Sequence, residues 1–148
     1  MILLLFFLLL ISACSNSGQR QQSTLNGSTM GTVWSVKFIT SVASQLTESQ
    51  VNATVNAELQ RIDHLLSTYL EDSELSRFNR NGSAQWITVS TDFVDLSAIA
   101  KGYAVDQVAL SLEKLGIMEY LVEVGCELRA KGHNLADCNG LLGWNAQT

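Results

Sequence analysis

The chain has 148 residues, 14 acidic against nine basic, a formal charge of −5 and no proline. Beyond a polar N-terminal stretch it has room for one hydrophobic core and not for two. No Lys/Arg cluster breaks the acidic balance, which disfavours nucleic acid as a partner on electrostatic grounds.

Met1 to Leu10 is almost wholly apolar, and Ile11-Ser12-Ala13-Cys14 reads as a lipoprotein cleavage box. Residues 1–13 are then a signal peptide, and Cys14 becomes the lipidated N-terminus. The apolar run falls far short of the roughly 20 residues a membrane-spanning helix needs. It also lacks the usual basic n-region, since the first Arg or Lys is Arg20. Residues 14–27 are small and polar with almost nothing to bury, the composition of a tether. Cys126 and Cys138 match no metal-ligand spacing, and in a compartment that permits disulfides they can pair or stay free.

Residues 28–148 form the domain. Thr32 to Ile39 alternates, with Trp34, Val36 and Phe38 on one face, as a half-buried strand does. Thr47 and Gln50 make a capping box ahead of a long helix whose stripe is Val51, Val55, Leu59, Ile62 and Leu66, ending near Tyr69. Asp72 and Ser73 can cap a short second helix through Phe78, and Asn81-Gly82 marks a turn. Gln85 to Val89 reads as a strand. Ile99 to Leu115 reads as a helix with Val105, Val108, Ala109, Leu112 and Leu115 inward and Gly116 as its stop. Tyr120 to Val124 is another strand. The sum is an α+β fold with helices packed on a mixed or antiparallel sheet.

The run Val94-Asp95-Leu96-Ser97-Ala98-Ile99-Ala100-Lys101-Gly102-Tyr103-Ala104 brings a carboxylate, an ammonium group and small residues to a helix start. Unpaired N–H groups and partial positive charge make such a start a natural phosphate site. On chemistry alone a second reading stands level with it, in which Asp95 caps the helix and Lys101 is solvated.

Five stretches in order, Ser28 to Trp34, Leu65 to Tyr69, Asp72 to Asn79, Asp95 to Asp106 and Tyr120 to Gly132, resemble the ApbE family of FAD:protein FMN transferases. The resemblance implies a truncated ApbE-like (T-fold-like) domain. It implies FAD as substrate and Mg²⁺ as cofactor, with Met30, Tyr69, Asp95 and Lys101 contacting FAD and the Ala98 carbonyl on the metal. Its reaction moves FMN from FAD to a threonine hydroxyl of a flavoprotein subunit of a membrane redox complex, releasing AMP. With the lipid at Cys14, the expected location is the periplasmic face of a bacterial inner membrane.

The departures carry implications too. Thr91-Asp92-Phe93 leads straight into Val94-Asp95, where family members carry a substantial flavin-binding segment. After Gly132 the tail Leu135 to Thr148 does not resemble the family, whose C-terminal half supplies an Asp and a Thr for magnesium and a histidine. His64 and His133 read as surface or capping residues, and Glu123 and Glu127 as solvated strand-end charges. Cys126 stands where the family has a second turn glycine, and a left-handed backbone there would cost about 1–2 kcal/mol. The alternative to an impaired transferase is therefore a non-catalytic lipoprotein remnant with weak or no flavin binding.

Overall fold

The computed structural model describes residues 19–81 and 99–136. The strand expected at Gln85 to Val89 lies outside them, as do Cys14, Asp95, Ala98 and Cys138.

Two ten-residue strands, β1 (Arg20–Thr29) and β2 (Thr32–Ser41), pair antiparallel along their whole length. Residues 20–27 are thus not tether, as their composition suggests, but part of a strand that is outermost among the described ones. Backbone pairing to β2 supplies what the side chains do not: on the core side only Ser23, Leu25 and Gly27 face inward, opposite Phe38, Val36 and Trp34. A polar outer row suits an exposed edge. Gly27 is where Trp34 packs, and an added Cβ would sit 2.6 Å from three atoms of the indole ring.

The hairpin closes with Met30-Gly31, both at positive φ (47° and 69°). A two-residue turn with two left-handed residues matches the twist of the strands and ordinarily takes Asn-Gly. Met30 is the only non-glycine residue in that conformation among the described residues.

Helix α1 (Glu48–Leu66) has the expected box: Thr47 Oγ1 accepts the Gln50 N–H, and the Gln50 side chain accepts the Thr47 N–H at 2.8 Å. It stops at Leu66, three residues short of the expected end. Its start is tied to β1 by the Ser23 hydroxyl donating to Glu48. Helix α2 (Glu74–Asn81) is capped by Ser73 alone, whose Oγ accepts the Ser76 N–H at 2.9 Å. Helix α3 spans Ala100–Lys114. Strand β3 (Tyr120–Val124) has the expected bounds and pairs with β2. It turns through Gly125-Cys126 into β4 (Glu127–Lys131), which sequence reading missed. Among the described residues the sheet order is β1-β2-β3-β4, with every pair antiparallel.

One face of the sheet gives Trp34, Val36, Phe38, Tyr120, Val122 and Val124 to a single core with the α1 and α3 stripes, including Val51, Val55, Ile62, Val108 and Leu112. Strand β4 escaped notice because its inward row is charged. Arg129 donates to Asp106 at 2.9 Å and Glu113 at 3.3 Å on α3, and Lys131 reaches Glu113 at 3.2 Å. Gly125 takes the left-handed conformation of the turn (φ 64°) and Cys126 does not, so the backbone cost expected at Cys126 is absent. Cys126 is a free, exposed thiol.

Buried Tyr120 donates to Glu113 at 2.6 Å. Burial first, and this hydrogen bond second, push its hydroxyl up to about 12. The fold prefers the neutral phenol, so its contribution is complete below the unfolded value near 10 and fades as pH climbs toward about 12. Glu113 is held below its ordinary 4.5, first by the Tyr120 hydroxyl and then by Lys131. Its contribution is present above that value and is lost as pH falls further. The urea midpoint should therefore decline on both sides of a neutral plateau, with Tyr120→Phe flattening the alkaline limb. An alkaline limb unchanged in Tyr120→Phe would count against this assignment.

Candidate functional site

Three elements end at one place. The tip of the β1–β2 hairpin brings Met30, the end of α1 brings Leu66 and the loop Ser67-Thr68-Tyr69, and the first turn of α3 brings Ala100 and Lys101. Together they line a cleft of about 220 Å³. Met30, Tyr69 and Lys101, the first and last 71 positions apart in sequence, thus meet on one cleft. Asp95 and Ala98 fall outside the described residues.

Each side chain is set by its element. Met30 is half-buried against the core, so the strained turn presents its thioether at the inner wall. Tyr69 is 85% exposed, a ring at the mouth with little protein packed on it. Lys101 lays its stem by the β3–β4 turn: a Cβ on Gly125 would stand 3.3 Å from Lys101 Cδ and 3.2 Å from Thr32 Oγ1. Gly125 itself donates its N–H to the Val33 carbonyl at 2.9 Å, which fixes the turn against the hairpin.

The N-cap of α3 is Ile99, which makes no side-chain cap bond, and no acid lies in the first turn. Asp95, four residues before that cap position, lies outside the described residues, as does the capping alternative built on it. A lysine at a helix N-terminus works against the macrodipole, so this end of α3 carries positive charge that the helix does not need. First-turn N–H groups, a lysine and an apolar wall beside an aromatic ring together suit an anionic, ring-bearing ligand such as a nucleotide.

Sequence reading named Ser73 only as a helix cap and missed the serine network that shapes the loop. Ser67 Oγ accepts the N–H groups of Tyr69 at 3.1 Å and Leu70 at 3.2 Å. Its carbonyl accepts the hydroxyls of Ser73 at 2.5 Å and Ser76 at 3.2 Å. Hydroxyl residues just past one helix and just before the next were the available signal. His64 and His133 are exposed and away from the cleft, His133 lying 4.0 Å from Glu119. Glu123 and Glu127 are exposed, as expected.

Comparison with known proteins decides the family. The ApbE family model matches residues 30–96 and 93–145. The chain belongs to the ApbE family. Among ApbE relatives, the FAD:protein FMN transferase of Haemophilus influenzae is 27% identical, with 84% of this chain and 58% of that protein aligned. The one from Vibrio cholerae is 27% identical over 86% of this chain and 59% of its own length. The solved flavin transferase ApbE from Vibrio cholerae superposes with a TM-score of 0.69 at 26% identity, covering 82% of this chain and 63% of that one. The apo flavinyl transferase ApbE of Pseudomonas stutzeri, at 22% identity and TM-score 0.68, shares the fold. The chain spans less than two thirds of the length of these relatives.

The Haemophilus alignment runs over 203 positions, more than this chain possesses, so the ApbE relative carries internal residues with no counterpart here. The two matched segments overlap at residues 93–96, where the sequence places the missing segment. In one respect the sequence reading stopped short: the ApbE match reaches residue 145, past Gly132.

Proposed function

We propose that this chain is an FAD:protein FMN transferase, impaired by its missing segment. The supporting observation is the convergence of Met30, Tyr69 and Lys101 on one cleft at a helix start, in a chain whose relatives are named for this transfer. In the proposed reaction a threonine hydroxyl of a target flavoprotein attacks the FMN-side phosphorus of FAD. A phosphoester forms, the pyrophosphate P–O bond breaks, and AMP leaves. Lys101 neutralises phosphate charge, the first-turn N–H groups of α3 donate to phosphate oxygens, Tyr69 takes a ring of the dinucleotide and Met30 lines its apolar side. Asp95, beyond the described residues, completes the FAD contacts in this reading.

Magnesium belongs to the proposal through the resemblance. Among the described residues no cluster of three His, Cys, Asp or Glu side chains could hold a metal, and none of the residues lining the cleft is a carboxylate. The described part of the site therefore does not fit the ion, and no step is assigned to it; the Ala98 carbonyl remains the proposed contact. The acceptors proposed are flavoprotein subunits of membrane redox complexes.

Equilibrium dialysis of the chain without residues 1–13 against FAD, with and without magnesium, tests the reading. Micromolar binding strengthened by magnesium is expected. A folded chain that binds no FAD would instead be the non-catalytic lipoprotein remnant, a reading that the missing internal segment favours.

The proposed location is the periplasmic face of a bacterial inner membrane, held by lipid on Cys14. No helix among the described residues is long and apolar enough to cross a membrane. Mass spectrometry of the N-terminal peptide from membranes should find Cys14 acylated, and an unmodified Met1 terminus would sink the anchor.

A further inference from the structure

We infer that Ser67 and Ser73 are positioning residues that hold the Tyr69 ring at the mouth of the cleft, an inference that rests on the flavin reading of that cleft. Tyr69 is 85% exposed, so packing does not fix its ring. A freely moving backbone would add the entropy of ordering it to every binding event. The chain instead fixes the loop from beneath. Ser67 Oγ accepts the Tyr69 and Leu70 N–H groups, which sets the turn that carries the ring. The Ser67 carbonyl is in turn pinned by the Ser73 hydroxyl at 2.5 Å.

Ser73 does two things with one hydroxyl, which both donates and accepts. As acceptor it caps α2, taking the Ser76 N–H at 2.9 Å. As donor it reaches back six residues to the Ser67 carbonyl. A helix cap needs only the acceptor, so the donor bond serves the loop. Ser73 is fully buried, at 0% exposure, and Ser67 is 7% exposed, so water does not compete for these bonds as it would at the surface. Burial falls on the serines beneath the ring and exposure on the ring itself, which is the arrangement of a rigid mount under a group left open for a ligand. Helix α2 thereby acts on the cleft without lining it.

The test uses FMN as probe on the full chain, whose emission falls when a tyrosine ring stacks on the flavin. Ser73→Ala should bind FMN about tenfold more weakly, the scale of one net hydrogen bond, and with less quenching. Ser73→Thr, which keeps both donor and acceptor, should restore both within about twofold. Hydrogen exchange at the Tyr69 and Leu70 amides, measured without ligand, should quicken in Ser73→Ala while the amides of α1 and α3 keep their protection. Should Ser73→Ala fail to fold, Ser67→Ala removes only the acceptor for those two amides, and the same losses are expected of it. Wild-type affinity and quenching in Ser73→Ala, or a loss that Ser73→Thr does not restore, overturns the inference alone. A wild-type chain that binds neither FMN nor FAD overturns the flavin reading and this inference with it.

Discussion

Replacing Lys101 with methionine is expected to weaken FAD binding roughly ten- to hundredfold, the scale of a charged hydrogen bond of about 1.5–3 kcal/mol. The substitution is chosen because of what the side chain does at each end. Its stem lies over the β3–β4 turn beside Gly125 and Thr32, and methionine can keep that apolar contact. Its ammonium group is exposed at the cleft and has no role in the core, so removing it should leave the unfolding midpoint nearly unchanged. Lys101→Arg restores the charge with a broader, planar head and should recover only part of the affinity. Binding measured by dialysis alongside a urea unfolding curve separates the two effects. If Lys101→Met binds FAD as tightly as the wild type, the phosphate does not sit at the start of α3.

The second large effect concerns stability. Leu112→Ala removes a side chain at 0% exposure from the core cluster that joins α1, α3 and the sheet. The expected loss is about 2–5 kcal/mol, from lost burial and the cavity left behind. Domains of this size usually hold about 5–15 kcal/mol in total, so the variant should be unfolded in a sizeable fraction or melt many degrees lower. A denaturation curve with an unchanged midpoint would mean that α3 is not packed as described. The same experiment bears on function, because Ala100 and Lys101 are carried by the helix that Leu112 anchors.

The parts of the fold that were legible in the sequence are those whose side chains carry the periodicity. Helices α1 and α3 and strands β2 and β3 bury continuous apolar rows, and their bounds differ from expectation by a few residues at most. Strands β1 and β4 were illegible for a shared reason. Both are outer strands among the described residues and are held by something other than an apolar row of their own: β1 by the backbone of β2, β4 by the pairing of Arg129 and Lys131 with acids on α3. A window of sequence contains no sign of a carboxylate arriving from a helix 16 residues upstream. Hydrophobic patterning reports burial against a core, and these two strands bury mainly backbone and charge.

At the site, Met30, Tyr69 and Lys101 were legible through the resemblance and not through spacing, since nothing local ties a hairpin tip to a loop and a helix start. The serines were visible as residues but not as a network. Whether a hydroxyl six positions on reaches back to a carbonyl depends on the loop path, which propensity does not encode. Met30 shows the converse. A turn statistic expects asparagine in its place, and the departure marks a position where backbone strain and the cleft wall coincide.

Strand β1 also fixes a distance. Its ten residues rise by about 30 Å from Arg20 to the hairpin tip that bears Met30. The six peptide steps from Cys14 to Arg20 span at most about 20 Å when fully drawn out. The Cys14 backbone therefore stays about 10 Å or more short of the hairpin tip. On the proposed anchoring at Cys14, the β1–β2 hairpin acts as a stiff spacer, and its length rather than the slack of the leading segment sets how far from a bilayer the cleft would stand.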